Sequence, residues 1–278
     1  MNENLKKNLT KKSFKLRKKI FQSIYDGNGG HLGGAFSVID ILTYLYSQVL
    51  KIDPKDPNNK NRDRLIFSKG HASQALYWTL AEFSFFDEAL IETYGQDGST
   101  FSGHPEYEKA DGIEISSGSL GHGPAIGAGI AHAAKLNKQE LNVYVIVGDG
   151  EVNEGSVWEA LLCASQLKLD NFYLIIDNNG MESLDKTNNI LSIEPIDKKL
   201  EAFNFEVERF NGNNFDEIHL AIERLKNKKS PYPKAMIADT TKGYGISFTA
   251  NQTKWHARCP TDEELKLGLT ELDKTINA

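Results

Sequence analysis

A chain of 278 residues that is 40% hydrophobic and 25% charged has the composition of a globular protein with a buried core, not of a disordered or fibrous one. Its formal net charge of -6, with no long basic block beyond the N-terminus, argues against nucleic acid as a partner. No apolar run approaches the roughly 18 residues that span a bilayer. Two cysteines form neither a disulfide framework nor a zinc pattern, so a reduced, cytoplasmic setting is expected.

Segment 1–24 is basic but lacks the uninterrupted apolar core of a secretory signal. Phe14, Ile20, Phe21 and Ile24, with lysines between them, predict a solvated helix rather than a transit or membrane-surface segment. Strand-like apolar runs follow at 65–68, 142–147, 171–177, 205–210 and 235–239, and helical patterns at 37–50, 71–83, 154–169 and 215–227. Ser37 followed by Asp40 predicts a capping pair for the first of these helices. Cys163, inside an apolar helical pattern, is expected to fill core. Strands alternating with helices predict an α/β fold in which a parallel sheet is covered by helices on both faces, within one domain over 1–278.

Glycines cluster at "GNGGHLGG", "SKGHAS", "FSGHPE", "SSGSLGHGPAIGAG", "VGDGE" and "TKGYG", mostly where a strand ends or a helix begins. Open α/β sheets bind ligands at such turns. His31, His71 and His104 each lie at one of these glycine-rich turns, which favours a shared polar site.

Residues 142–181 read as one strand–helix–strand unit, whose strands run parallel through a right-handed crossover. If those strands are neighbours, Asp149 and Asn179 project into one crevice. A carboxylate, an amide oxygen and backbone carbonyls make a hard half-shell suited to Mg²⁺ or Ca²⁺, which a phosphate-bearing ligand would complete. The glycines flanking Asp149 let backbone N–H groups approach phosphate, and the helix beginning near Glu154 offers its positive end. No Walker A lysine loop is present. Nor does an early strand lead into a glycine fingerprint with an acidic partner, so a P-loop nucleotidase and nicotinamide binding are both disfavoured.

With these motifs in view, the sequence resembles the thiamine-diphosphate enzymes, specifically the N-terminal part of transketolase. "GDGEVNEG…DNNGM" matches the cofactor motif, and "GGHLGGAFSVIDIL", "RDRLIFSKGHAS", "SGHPE", "SSGSLGHG", "TTKGYGISF" and "WHARCPTDEEL" follow the family's order over nearly the whole chain. The resemblance implies that Asp149, the Asn179 side chain and the Met181 carbonyl bind the cation. It implies that His71, Gly150, His256 and Lys242 contact the diphosphate, and that Gly118 and Leu120 line the cofactor cleft. His31 and His104 would face the reacting carbon and sugar hydroxyls, with His256 also placed among the catalytic residues. Glu154, at the cofactor site, and Glu159 would lie at a subunit contact.

The resemblance further implies a split enzyme. The ring-binding domain, with the glutamate that activates the cofactor, would belong to a separate chain in an α₂β₂ assembly acting on sugars or sugar phosphates. His122, Ala257 and Cys259 depart from the family's usual residues. Two alternatives stay open. One is the α chain of a 2-oxoacid dehydrogenase, which shares the metal–diphosphate motif but not the four histidines; the other is a non-catalytic cofactor-binding protein.

Overall fold

Five strands, β1 (Arg64–Phe67), β2 (Val143–Gly148), β3 (Phe172–Asn178), β4 (Glu206–Asn211) and β5 (Lys234–Asp239), form one parallel sheet in the order β1-β2-β3-β5-β4. They belong to a computed structural model that describes residues 1–277; Ala278, the end of the expected domain span, lies outside the described residues. The strands coincide with the five apolar runs of the sequence, with ends displaced by no more than one residue. The helices are α1 (Glu3–Asp26), α2 (Leu32–Tyr44), α3 (Ser73–Glu82), α4 (His122–Leu136), α5 (Gly155–Gln166), α6 (Thr187–Ile190), α7 (Ile196–Ala202), α8 (Phe215–Asn227) and α9 (Asp262–Asn277).

Alternation along the strands divides the core in two. Val143, Val145 and Val147 point into a cluster with α4, α5 and α7, whereas Tyr144 and Ile146 point into a cluster with α1, α2, α3, α8 and α9. The crossovers β1→β2, β2→β3 and β3→β4 advance along the sheet in one direction and place α4, α5 and α7 on one face. The return from β4 to β5 places α8 on the other, as the preference for right-handed crossovers demands.

The N-terminal segment is helical, and it is more deeply embedded than a solvated helix. Leu9, Phe14, Leu16, Ile20, Phe21 and Ile24 are all buried, and so is Arg17 at 0% exposure. Arg17 grips Asp40 through two hydrogen bonds of 2.8 and 2.7 Å and donates to the Tyr244 carbonyl at 2.9 Å, which joins α1, α2 and the loop after β5. Elsewhere along α1, Lys6, Lys12, Lys18 and Lys19 pair with Asp216, Glu82, Asp273 and Glu88. The basic character of α1 thus complements acids of neighbouring elements. Among the described residues no helix is long and apolar enough to cross a membrane.

Two local expectations are corrected. Helix α2 begins at Leu32, not near Ser37, because Gly33 and Gly34 are helical there. A Cβ on Gly33 would stand 2.8 Å from Lys242 Cγ, so glycine is what lets the two segments meet. Ser37 therefore lies inside the helix and donates to Asp177, while Asp40 pairs with Arg17 instead of capping anything. Cys163 is exposed. Ala160, Leu161 and Ala164 take the sheet-facing stripe of α5, and the 100° turn per residue carries Cys163 to the outside.

Candidate functional site

The register of the sheet brings strand ends together: Gly148 pairs with Asp177, and Asn178 with Asp239. Because β2 and β3 are parallel neighbours, Asp149 and Asn179 leave the sheet side by side at its carboxyl edge, where a cleft of about 460 Å³ opens. Gly118, Leu120, Gly150, Glu154, Met181, Lys242, His71, His104 and His256 also line this cleft. A larger groove, about 690 Å³, runs beside α1 and contains Lys15, Lys18, Lys19 and Trp78 but none of the residues expected at the site. Chemistry, not size, distinguishes the two.

Asp149 is 3% exposed. Its Oδ1 accepts from the Gly150 N–H at 3.0 Å, and its Oδ2 accepts from the Gly180 N–H at 2.7 Å and Thr187 Oγ1 at 2.8 Å. Burial pushes its pKa up to about 6, against the pull of the Thr187 hydrogen bond. A buried carboxylate that protonates so readily gains from a facing cation. Asn179 Oδ1 accepts from the Met181 N–H at 3.1 Å, and the Met181 carbonyl accepts from Lys242 Nζ, also at 3.1 Å. Carboxylate, amide and carbonyl oxygens on this floor fit a hard divalent cation by donor chemistry.

Histidines from four separate segments come together here: His71, His104 and His256 line the cleft, and His31, which is not among its lining residues, packs against all three. His31 immediately precedes α2, His71 lies in the short 3-10 turn Gly70–Ala72, His104 lies in the loop before α4, and His256 follows the turn Thr253–Trp255. The His31 ring stands 5.4 Å from that of His71, 6.1 Å from His104 and 5.3 Å from His256, centre to centre. Burial lowers the pKa of both His31 and His256 to about 4 and that of His71 well below the ordinary value. At neutral pH these three rings are uncharged, each with one donor and one acceptor nitrogen.

Stability to urea should respond to this. The unfolded chain protonates its histidines near 6.5, while folded His31 and His256 wait until about 4. Their contribution is complete above pH 6.5 and is lost as pH falls toward 4. Asp149, raised to about 6, changes in the opposite sense, so the total stability of the wild type mixes the two. The comparison between wild type and His256→Gln isolates the histidine. The variant should lose less stability between pH 6.5 and 4, and equal losses would contradict the assignment.

The sequence motifs do not disclose the buried groups that hold these loops. Lys69, 1% exposed, pairs with Asp177, 0% exposed, and donates to the Gly34 carbonyl at 3.1 Å. Asp177 also accepts from Ser37 Oγ at 2.6 Å and Thr240 Oγ1 at 2.5 Å. One carboxylate thus ties α2, the loop of His71, the end of β3 and the segment leading to Lys242. Glu151, 2% exposed, accepts from Ser68 Oγ, the Gly121 N–H at 2.9 Å and the Gly148 N–H at 3.1 Å, which pins the 118–121 loop to the Asp149 turn. A lysine and an acid inside apolar surroundings, "LIFSK" and "LIID", are the available signal; their pairing is not written there.

Glu154 sits at the N-terminal boundary of α5 and is exposed at the cleft, whereas Glu159 is exposed on α5 and lies outside it. His122 begins α4 and is exposed, with Nδ1 3.2 Å from the Leu120 carbonyl. Cys259 is half-buried, with Sγ 3.7 Å from the Tyr25 carbonyl, and Ala257 is exposed beside His256.

Comparison with known proteins decides the family. A family profile described as "Transketolase, thiamine diphosphate binding domain" matches residues 12–272. The chain belongs to this transketolase family. An apulose-4-phosphate transketolase subunit of Actinobacillus succinogenes is 42% identical over 267 residues, covering 95% of each chain. The 6-deoxy-6-sulfo-D-fructose transketolase subunit SqwG of Clostridium sp. is 35% identical over 259 residues, covering 93% of this chain and 94% of the relative. The transketolase structure from Campylobacter jejuni superposes with a TM-score of 0.90 at 34% identity, over 98% of this chain but 43% of that one. Human transketolase is likewise covered over only 38% of its length. This transketolase-family chain therefore matches relatives named as subunits almost end to end and spans less than half of these longer transketolases.

Proposed function

We propose that this chain, over 1–278, is the diphosphate-binding half of a two-chain transketolase. With a separate ring-binding chain, it would transfer a two-carbon ketol unit from a ketose or its phosphate to an aldose or its phosphate. The observation that carries the reading is the juxtaposition of the Asp149–Asn179 oxygen floor with His71, His104 and His256 in one cleft, with His31 packed against those rings. The histidine set favours ketol transfer over 2-oxoacid decarboxylation, and the relatives named as transketolase subunits support the split arrangement.

In this reading Asp149, Asn179 and the Met181 carbonyl hold Mg²⁺ or Ca²⁺. The Gly150 backbone, Lys242, His71 and His256 receive the diphosphate, while Gly118, Leu120 and Glu154 border it. Thiamine diphosphate, when bound, supplies a carbon nucleophile and an electron sink for breaking the bond beside a ketose carbonyl. His31 and His104, with His256 between cofactor and substrate, hydrogen-bond the sugar's oxygens as charge develops there. A protonated imidazole would only donate, so the burial that keeps His31 and His256 uncharged preserves both capacities.

The partner would cover the cleft in an α₂β₂ assembly and bring the glutamate that activates the cofactor; the setting would be cytoplasmic. The test mixes the purified chain with its candidate partner, Mg²⁺, thiamine diphosphate, a ketose phosphate and an aldose phosphate. Two-carbon transfer is expected in the mixture and absent with either chain alone. Transfer by this chain alone, or decarboxylation of a 2-oxoacid without transfer, would contradict the proposal.

A further inference from the structure

Beside the oxygen floor, the segment after Met181 presents a carboxylate that no assigned role uses. Glu182 lines the cleft and lies across the Asp149 turn: a Cβ on Gly150 would meet Glu182 Cγ at 2.8 Å and Cδ at 3.0 Å. Its Oε1 is buried and has no hydrogen-bond partner. A buried carboxylate oxygen without a partner is costly, even on a half-buried residue such as Glu182, and persists where some ligand satisfies it.

The charge of nearby Lys242 favours the ionised form of Glu182, but its ammonium gives that carboxylate no hydrogen bond. Lys242 Nζ donates to the Met181 carbonyl at 3.1 Å and the Glu182 carbonyl at 2.8 Å, and lies 3.0 Å from His256 Nδ1. An ammonium has three donors, and these contacts use all of them. Glu182 is thus left as a second acid on the floor, adjoining the Gly150 backbone that Asp149 also engages.

We infer that Glu182 supplies a second negative charge to the divalent-cation site, directly or through a bound water, so that the cation binds this chain before any diphosphate arrives. The inference rests on the cation role proposed above for Asp149. Cation affinity at oxygen sites rises with the number of charged ligands, whereas a carboxylate beside Gly150 repels a diphosphate that lacks its cation. Glu182 would in this way make loading of the cofactor depend more steeply on the cation.

The test titrates the full chain, without cofactor, with Mn²⁺ and follows free metal by electron paramagnetic resonance, with circular dichroism to check folding. Glu182→Gln is expected to weaken Mn²⁺ binding about tenfold. Glu182→Asp, which retains the charge on a shorter stem, should lose less. Unchanged affinity in Glu182→Gln, with binding abolished in Asp149→Ala, would overturn this inference and leave the site reading standing. Binding intact in Asp149→Ala would overturn the site reading itself, and no saturable binding by the wild type would overturn the inference as well.

Discussion

Asp149→Ala should abolish ketol transfer in the reconstituted enzyme, by at least about two orders of magnitude, while the sheet stays folded. The carboxylate is the only charged oxygen among the three donors proposed for the cation, and the Asn179 amide and Met181 carbonyl cannot replace its charge. The substitution also leaves the Gly150 and Gly180 N–H groups and the Thr187 hydroxyl without their acceptor, so some loosening of the turn is expected alongside. The strands of the sheet do not depend on that side chain for their ladders, and far-UV circular dichroism should be preserved. Mg²⁺ calorimetry on the variant, with activity measured in parallel, separates the two effects. Full activity in a variant that still folds would remove the basis of the proposed function.

The second large effect belongs to Asp177→Ala. It leaves the Lys69 ammonium, 1% exposed, with the Gly34 carbonyl as a remaining partner, and it releases Ser37 and Thr240 together. Removing one member of a buried ion pair costs about 3–5 kcal/mol, most of it from the charge left behind. Urea unfolding should show a loss of that size, and thiamine diphosphate binding should weaken because the loops of His71, Asn179 and Lys242 share this anchor. Replacing both members, Lys69→Met with Asp177→Leu, should return much of the stability without returning the binding. A single substitution that costs less than about 1 kcal/mol would show that the pair contributes no buried-charge penalty.

The division between what was legible and what was not follows the range of the interactions. The five strands were legible because a strand buried on both faces must be apolar throughout, a property of contiguous residues. Asp149 and Asn179 were legible because a parallel crossover brings successive strand ends to one edge, so a local motif already implies a juxtaposition. The start of α2 was misplaced because Gly33 and Gly34 lower helix propensity locally, and only the stem of Lys242, lying against Gly33 from far along the chain, explains why glycine stands in that helix. Cys163 was misplaced because α5 is apolar on its outer face too, with Leu162 and Leu167 exposed beside it, so periodicity could not name the inward stripe.

The sequence by itself determined the parallel α/β architecture, the oxygen floor and the set of histidines, since each is written in short contiguous motifs. Only the tertiary structure decided that the rings of His31, His71, His104 and His256 would meet at centre-to-centre distances of 5.3 to 6.1 Å. It alone decided that Lys69 pairs with Asp177 and Arg17 with Asp40, and that the Glu182 carboxylate lies against Gly150 with one oxygen unpaired. Such contacts join residues distant along the chain, and a charge's partner, burial and pKa exist only once the low-dielectric core has closed around it.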